Sequence, residues 1–260
     1  MTDLSPYLPP LLTAPFIGSF LGVVIRRLPA GEGLVLGRSR CPHCTTELGV
    51  ADLVPLASWL ALRGRCRHCG TDLGSFYPAV ELAALAVAAS VVLIAPRGNA
   101  SQGDIWLDCA IGWTLIALAW IDAEQFVLPR MLTLPLMAAG LAVAAARGGD
   151  ALLDSVMGAT AGYLSLRLIG LAYRRLRGRD GLGLGDADLL AAAGAWLGWP
   201  LLPVLIAIAA CAGLVAATAG HLAGHRMNAA TAIPFGPFLA LAFWGLYLAM
   251  NGGYMPMIGS

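Results

Sequence analysis

Residues 186–220 read DADLLAAAGAWLGWPLLPVLIAIAACAGLVAATAG, an apolar block with two aspartates at its head and no other charge. Its length decides the fold. A helix needs about 20 apolar residues to cross a bilayer, so the block is too long for one span and too apolar for water. Gly198-Trp199-Pro200 inside it reads as a turn at a membrane interface, where Trp favours the headgroup layer and Pro breaks the helix. Two spans result, the first of them short. Composition agrees. The chain is 58% hydrophobic and 12% charged, with a mean hydropathy of +0.76, whereas a soluble globule carries about a quarter charged residues.

Outward from this block, apolar runs lie at Leu11–Ile25, Tyr77–Ala95, Ile105–Ile121, Met131–Ala146, Leu152–Tyr173 and Ile233–Met250. With the two central spans they predict an all-α polytopic membrane protein of about eight transmembrane helices. The first run is no cleavable signal peptide, because its positive charge (Arg26, Arg27) follows the apolar core instead of preceding it. All sixteen basic residues are arginine, and their placement sets the orientation by the excess of Lys and Arg in cytoplasmic loops. With the amino terminus outside, cytoplasmic segments hold Arg26, Arg27, Arg38, Arg40, Arg63, Arg65, Arg67, Arg130, Arg174, Arg175, Arg177, Arg179 and Arg226. The outer loops hold only Arg97 and Arg147. Arg167 is left inside the fifth span, where it must snorkel or pair with an acid. The chain thus divides into a first transmembrane helix (1–26), a cytoplasmic loop module (27–76) and a membrane-embedded core (77–260).

The loop module carries CPHC at 41–44 and CRHC at 66–69. Two such knuckles offer four thiolates, Cys41, Cys44, Cys66 and Cys69, for a tetrahedral structural zinc. Disulfides are disfavoured in the reducing cytosol, and a redox motif would occur singly beside a strand–helix unit. His43 and His68 could replace a thiolate, but the four cysteines are the simpler set. Cys109 and Cys211 lie in apolar spans and read as packed thiols.

GLGLGDADLL at 181–190 places Asp186 at the start of the sixth span, where the positive end of the helix dipole favours an anion. Asp122, in LAWIDAEQFVLP, ends the third span on the same membrane face. Glu124 and Asp188 each stand two residues on, so at most one of each pair faces a shared site. Two close aspartates can share a proton, one as base and one as acid, and activate water against a peptide bond. Gly181, Gly183 and Gly185 would let backbone approach an extended substrate or let the loop move. The plainer alternative is that Asp186 caps a helix and Asp122 marks an interface.

Across nearly its whole length the chain resembles the type IV prepilin leader peptidases, which are GxGD-type intramembrane aspartic proteases. The resemblance rests on GSFLGVVIRRLP (18–29), SRCPHC (39–44), LASWLALRGRCRHCG (56–70), YPAVEL (77–82), WIDAEQFVLP (120–129), GLGLGDADLLAAAGAWLG (181–198) and IPFGPFLALA (233–242). It implies a bacterial cytoplasmic (inner) membrane enzyme that cleaves the basic leader of prepilins or pseudopilins at the cytoplasmic face. It also implies N-methylation of the new amino terminus from S-adenosylmethionine. The family's catalytic pair falls on Asp122 and Asp186, and its zinc cysteines on Cys41, Cys44, Cys66 and Cys69. Four positions depart. Gly22 and Leu53 stand where asparagines are usual, Arg130 where an aspartate is common, and Asp188 where a lysine is frequent. The first two lie in the region associated with methyl transfer, so a peptidase without methyltransferase activity is the nearest alternative.

Glu81 opens the second span and either serves methylation or recognition, or pairs with an arginine of the module. Trp59, Arg63 and Arg65 read as scaffold or headgroup contacts. GLGLGD lacks the strand and the lysine of a nucleotide loop, and nothing points to nucleic acid. A transporter using the same acids would need them at mid-membrane depth in repeated halves, and no such repeat is visible. Basic leaders would meet an arginine-rich surface, so Glu124, Asp180 and Asp188 are the local acids open to them.

Overall fold

The structure, a computed structural model, describes residues 5–34, 39–41, 43–94, 101–178, 183–223 and 233–252. Arg38, Arg97, Arg179, Asp180, Gly181 and Arg226 lie outside the described residues. The fold is helical, and its only extended pairings among the described residues are two isolated bridges. It divides into two units, Met1–Ala117 and Leu118–Ser260, with the division inside one helix.

In the first unit α1 (Leu8–Arg27) packs along α3 (Phe76–Ile94), and a short α2 (Ala57–Ala61) lies in the loop between them. Prolines occupy the first turn of α1, where the missing N–H costs nothing, and Arg26 and Arg27 close its last turn. The Arg26 guanidinium sits 3.9 Å over the Phe76 ring. Gly22, where the resemblance expects asparagine, faces the Tyr77 ring, which would lie 2.7 Å from any Cβ placed there. Trp113, in the first half of α4 (Gln102–Gln125), donates its ring N–H to the Ala84 carbonyl at 3.0 Å.

The second unit contains the end of α4 together with α5 (Arg130–Arg147), α6 (Gly149–Arg177), α7 (Leu184–Leu197), α8 (Leu202–Leu222) and α9 (Gly236–Asn251). Its centre is α7. Every residue from Asp186 to Leu197 is buried, against α5, α6 and α9. A helix that is apolar on all sides belongs in such a position. Gly158 on α6 and Gly194 on α7 face each other so closely that a Cβ on either would enter the other's backbone. One turn away, a Cβ on Gly162 would lie 2.6 Å from the Leu190 carbonyl. Small residues spaced four apart permit this backbone approach in lipid, where apolar area alone gives little helix–helix attraction. From α7, Trp196 donates to the Leu136 carbonyl of α5 at 2.8 Å.

Among the described residues, six helices are long and apolar enough to cross a membrane: Ser5–Arg27, Phe76–Leu93, Gln102–Gln125, Arg130–Arg147, Gly149–Arg177 and Trp199–Leu222. The other two segments of the eight-span reading are helical but shorter, 14 residues in α7 and 16 in α9. The 29 residues of α6 extend about 43 Å, well beyond a hydrocarbon core of about 30 Å. Its exposed Arg167 therefore lies within snorkelling reach of an interface. Cys109 is fully buried as expected, whereas Cys211 is exposed on α8.

Candidate active site and metal centre

Asp122 and Asp186 both belong to the second unit, and both are buried, at 6% and 7% exposure. Asp122 lies in the last turn of α4. Its Oδ2 accepts the Gly236 N–H at 2.9 Å, so the first residue of α9 aims a backbone donor at the carboxylate. Asp186 is the third residue of α7. Its Oδ2 accepts the Gly183 N–H at 3.2 Å, one half of a capping box. The helix-capping role is therefore real, yet it occupies only one oxygen. Among the described residues neither Oδ1 accepts a hydrogen bond, and the two carboxyls are close enough to interact electrostatically. Each buried acid thus keeps one carboxylate oxygen uncommitted among the described residues.

The neighbouring acids separate as helix geometry requires. Glu124 is exposed and accepts the Trp120 ring N–H at 3.0 Å. Asp188 is buried and accepts from Arg130 Nε at 2.8 Å. Asp188 is thus engaged, which removes it from the acids offered to a basic leader. Sequence reading missed Gly236. An added Cβ there would lie 2.7 Å from Asp122 Oδ2, so the α9 donor can approach only through glycine. Gly185 has a packing role as well, since its Cβ would fall 2.6 Å from Leu128 Cβ.

The sulfurs of Cys41, Cys44, Cys66 and Cys69, in the first unit, all lie within 4.8 Å of one another. The Cys41–Cys69 pair stands at 3.8 Å. A tetrahedral ion with metal–sulfur bonds of about 2.3 Å places its sulfurs about 3.8 Å apart, so the cluster fits a four-thiolate metal. Hydrogen bonding with Thr71 pushes the Cys69 thiol down to about 6. That with Thr46 likewise lowers Cys44, and thiolates are the ligating form.

The two knuckles are copies. SRCPHCTTEL (39–48) and GRCRHCGTDL (64–73) share six of ten residues. They repeat the same bonds, Cys41 N–H to Thr46 O at 3.0 Å and Cys66 N–H to Thr71 O at 2.9 Å. Each also has a bridge, Arg40 with Glu47 and Arg65 with Asp72. Alignment of the two CxxC segments at an offset of 25 residues would have found this repeat.

Beside the knuckles lies a cavity of about 240 Å³, lined among others by Ser19, Arg26, Trp59, Arg65, Tyr77 and Glu81. Glu81, 5% exposed, accepts the Leu56 N–H at 2.8 Å and a hydrogen bond from Ser19. Leu56 presents that N–H from φ 57°, ψ −48°, a region costing a non-glycine residue about 1–3 kcal/mol. Trp59 is scaffold here, donating to the Gly74 carbonyl at 2.8 Å.

Residues 109–218 match the type IV leader peptidase family, and residues 12–95 match the bacterial peptidase A24 N-terminal domain. A Dickeya chrysanthemi protein named prepilin leader peptidase/N-methyltransferase is 41% identical over 268 residues, covering 94% of this chain and 93% of that relative. Proteins of the same name from Aeromonas hydrophila and Burkholderia pseudomallei (strain 1026b) are 38% and 40% identical. Those alignments cover 88% and 91% of this chain and 85% of each relative. The chain belongs to the type IV leader peptidase family. No solved structure matches it significantly. In this leader peptidase family member the first matched region lies within the first unit and holds the knuckles, Glu81 and the cavity, whereas the second starts nine residues before the division, at residue 109, and holds Asp122 and Asp186.

Proposed function

We propose that this chain is a membrane aspartic endopeptidase that removes the basic leader of prepilins or pseudopilins at the cytoplasmic face of the bacterial inner membrane, and then N-methylates the exposed amino terminus. The observation that carries the first activity is the buried Asp122–Asp186 pair, each acid held by one backbone N–H and each with Oδ1 uncommitted. The pair shares one proton. The ionised carboxylate takes a proton from water as its oxygen attacks the scissile carbonyl, and the protonated partner donates to the carbonyl oxygen. Collapse of the tetrahedral species returns a proton to the leaving amine. Eight spans with an external amino terminus, counting the short α7 and α9, bring both acids and the knuckles to the cytoplasmic side.

Zinc at Cys41, Cys44, Cys66 and Cys69 would hold the loop, since four thiolates leave no open coordination position. For methyl transfer, the cavity beside the knuckles is the seat we favour for S-adenosylmethionine and the new amine. Among the described residues its lining holds two acids, Asp52 and Glu81, and Asp52 is engaged by Arg67 at 2.7 Å. Glu81 is then the group placed to orient the amine and take its proton. S-adenosylmethionine bound there would supply the methyl group, and Glu81 would accept the proton that the amine loses on methylation.

The deciding experiment replaces Asp122 or Asp186 with Asn, near-isosteric but unable to titrate, and follows prepilin processing. Cleavage should fall to background in each variant. Retained cleavage in either one rules out the dyad.

A further inference from the structure

The segment joining α4 to α5, with the first residue of α5, touches residues that flank Asp186 in the sequence on both sides. Leu128, 7% exposed, packs against Gly185 with no room for a Cβ between them. Arg130 Nε reaches Asp188 at 2.8 Å, across 58 residues of sequence. Asp186 lies between those two anchor points. The Asp188 side chain is 8% exposed and that of Arg130 61%, so one end of the bridge is buried and the other reaches solvent. A carboxylate so enclosed is costly without its partner. The segment also starts just after Asp122: the chain leaves α4 through Phe126 at φ 56°, its N–H bonded to the Asp122 carbonyl at 2.9 Å. A few residues therefore connect the helix end that carries one acid to both flanks of the other.

We propose that Leu128–Arg130 is a clamp that fixes the depth and rotation of Asp186 against Asp122. Its apolar half is Leu128 on Gly185, and its polar half is Arg130 on Asp188. Arg130 and Asp188 are positioning residues that touch no substrate. The proposal rests on the dyad reading above. It also accounts for two departures from the resemblance at once. Arg130 and Asp188 both depart from the resemblance, and in this chain they carry opposite charges and meet at 2.8 Å. The requirement is for opposite charges at the two positions.

The test is a charge swap in the full-length enzyme, with cleavage rates taken per molecule of the monodisperse detergent fraction. A 1 Å displacement of a reacting group can cost about 100-fold in rate, so Arg130→Asp or Asp188→Lys alone should lower kcat at least about tenfold with KM within about twofold. Arg130→Asp combined with Asp188→Lys should recover kcat to within about threefold of the parent, and Arg130→Lys should retain most of it. Arg130→Gln, which removes the charge at little change in size, replaces Arg130→Asp if that variant does not fold. It should show the same loss of kcat. Three results overturn the clamp: unaffected single variants, a double variant no better than the worse single, or a change confined to KM. Asp186→Asn in the same assay separates the two ideas. If it is inactive while the swap fails to rescue, the clamp alone is lost; if it still cleaves, the dyad itself is lost.

Discussion

At Gly236 the candidate site has no spare volume. The α9 N–H reaches Asp122 at 2.9 Å, and a methyl group in place of the glycine hydrogen would lie 2.7 Å from Oδ2 and 2.9 Å from Cγ. The carboxyl can yield only by giving up its backbone donor. Gly236→Ala should therefore cost about 1–3 kcal/mol by overpacking and lower kcat about tenfold or more. Melting in detergent and prepilin cleavage check both, and wild-type cleavage in the alanine variant would show that the donor is not needed. The two aspartates were legible in the sequence, because carboxylates at the ends of apolar spans are expensive enough to demand a reason. Gly236 was not: within IPFGPF it reads as an ordinary helix start, and its role exists only once Asp122, 114 residues earlier, is beside it. The Arg130–Asp188 bridge was hidden for the same cause, although each partner had stood out singly as a departure.

Among the elements, the duplicated knuckle is the most locally determined. Each copy closes on itself through two backbone bonds, and the reversal after each CxxC needs a positive φ, supplied by Gly70 at 71° and by Thr45 at 57°. The four-sulfur cluster needs both copies together, so a metal held there would link its binding to folding of the loop. Cys66→Ser should lose most of the bound zinc and lower the melting temperature, whereas Cys109→Ser should keep the metal. Elemental analysis of the purified protein decides, and full zinc content in Cys66→Ser would sink the assignment. The helix α7 is the opposite case. Its apolarity was plain from the sequence, but its central place depends on glycines of α6 and α7 meeting, and GATAG (158–162) marks a close-packing face without saying which helix fills it.

For the molecule as a whole, the proposed division of labour follows the two units. The cavity with Glu81 is enclosed by the first, and the aspartate pair by the second. The two activities should then separate. Asp186→Asn should leave methylation of an already processed pilin peptide unchanged, while Glu81→Gln should process prepilin normally and lower its methylation about tenfold or more. The mass of the product's amino terminus reads out the second effect, and full methylation by Glu81→Gln would remove that residue from the proposal.

What the sequence determined alone was the solvent, the number of apolar segments and the identity of the costly residues. Transfer free energy adds up along the chain, and a charge or a thiol in an apolar run declares itself without a partner. Tertiary structure decided which of those residues meet: the shared burial of Asp122 and Asp186, the donors that hold them, and the ion pair beside them. Contacts between side chains far apart in sequence depend on helix rotation and depth, which close glycine packing sets and which no local pattern encodes.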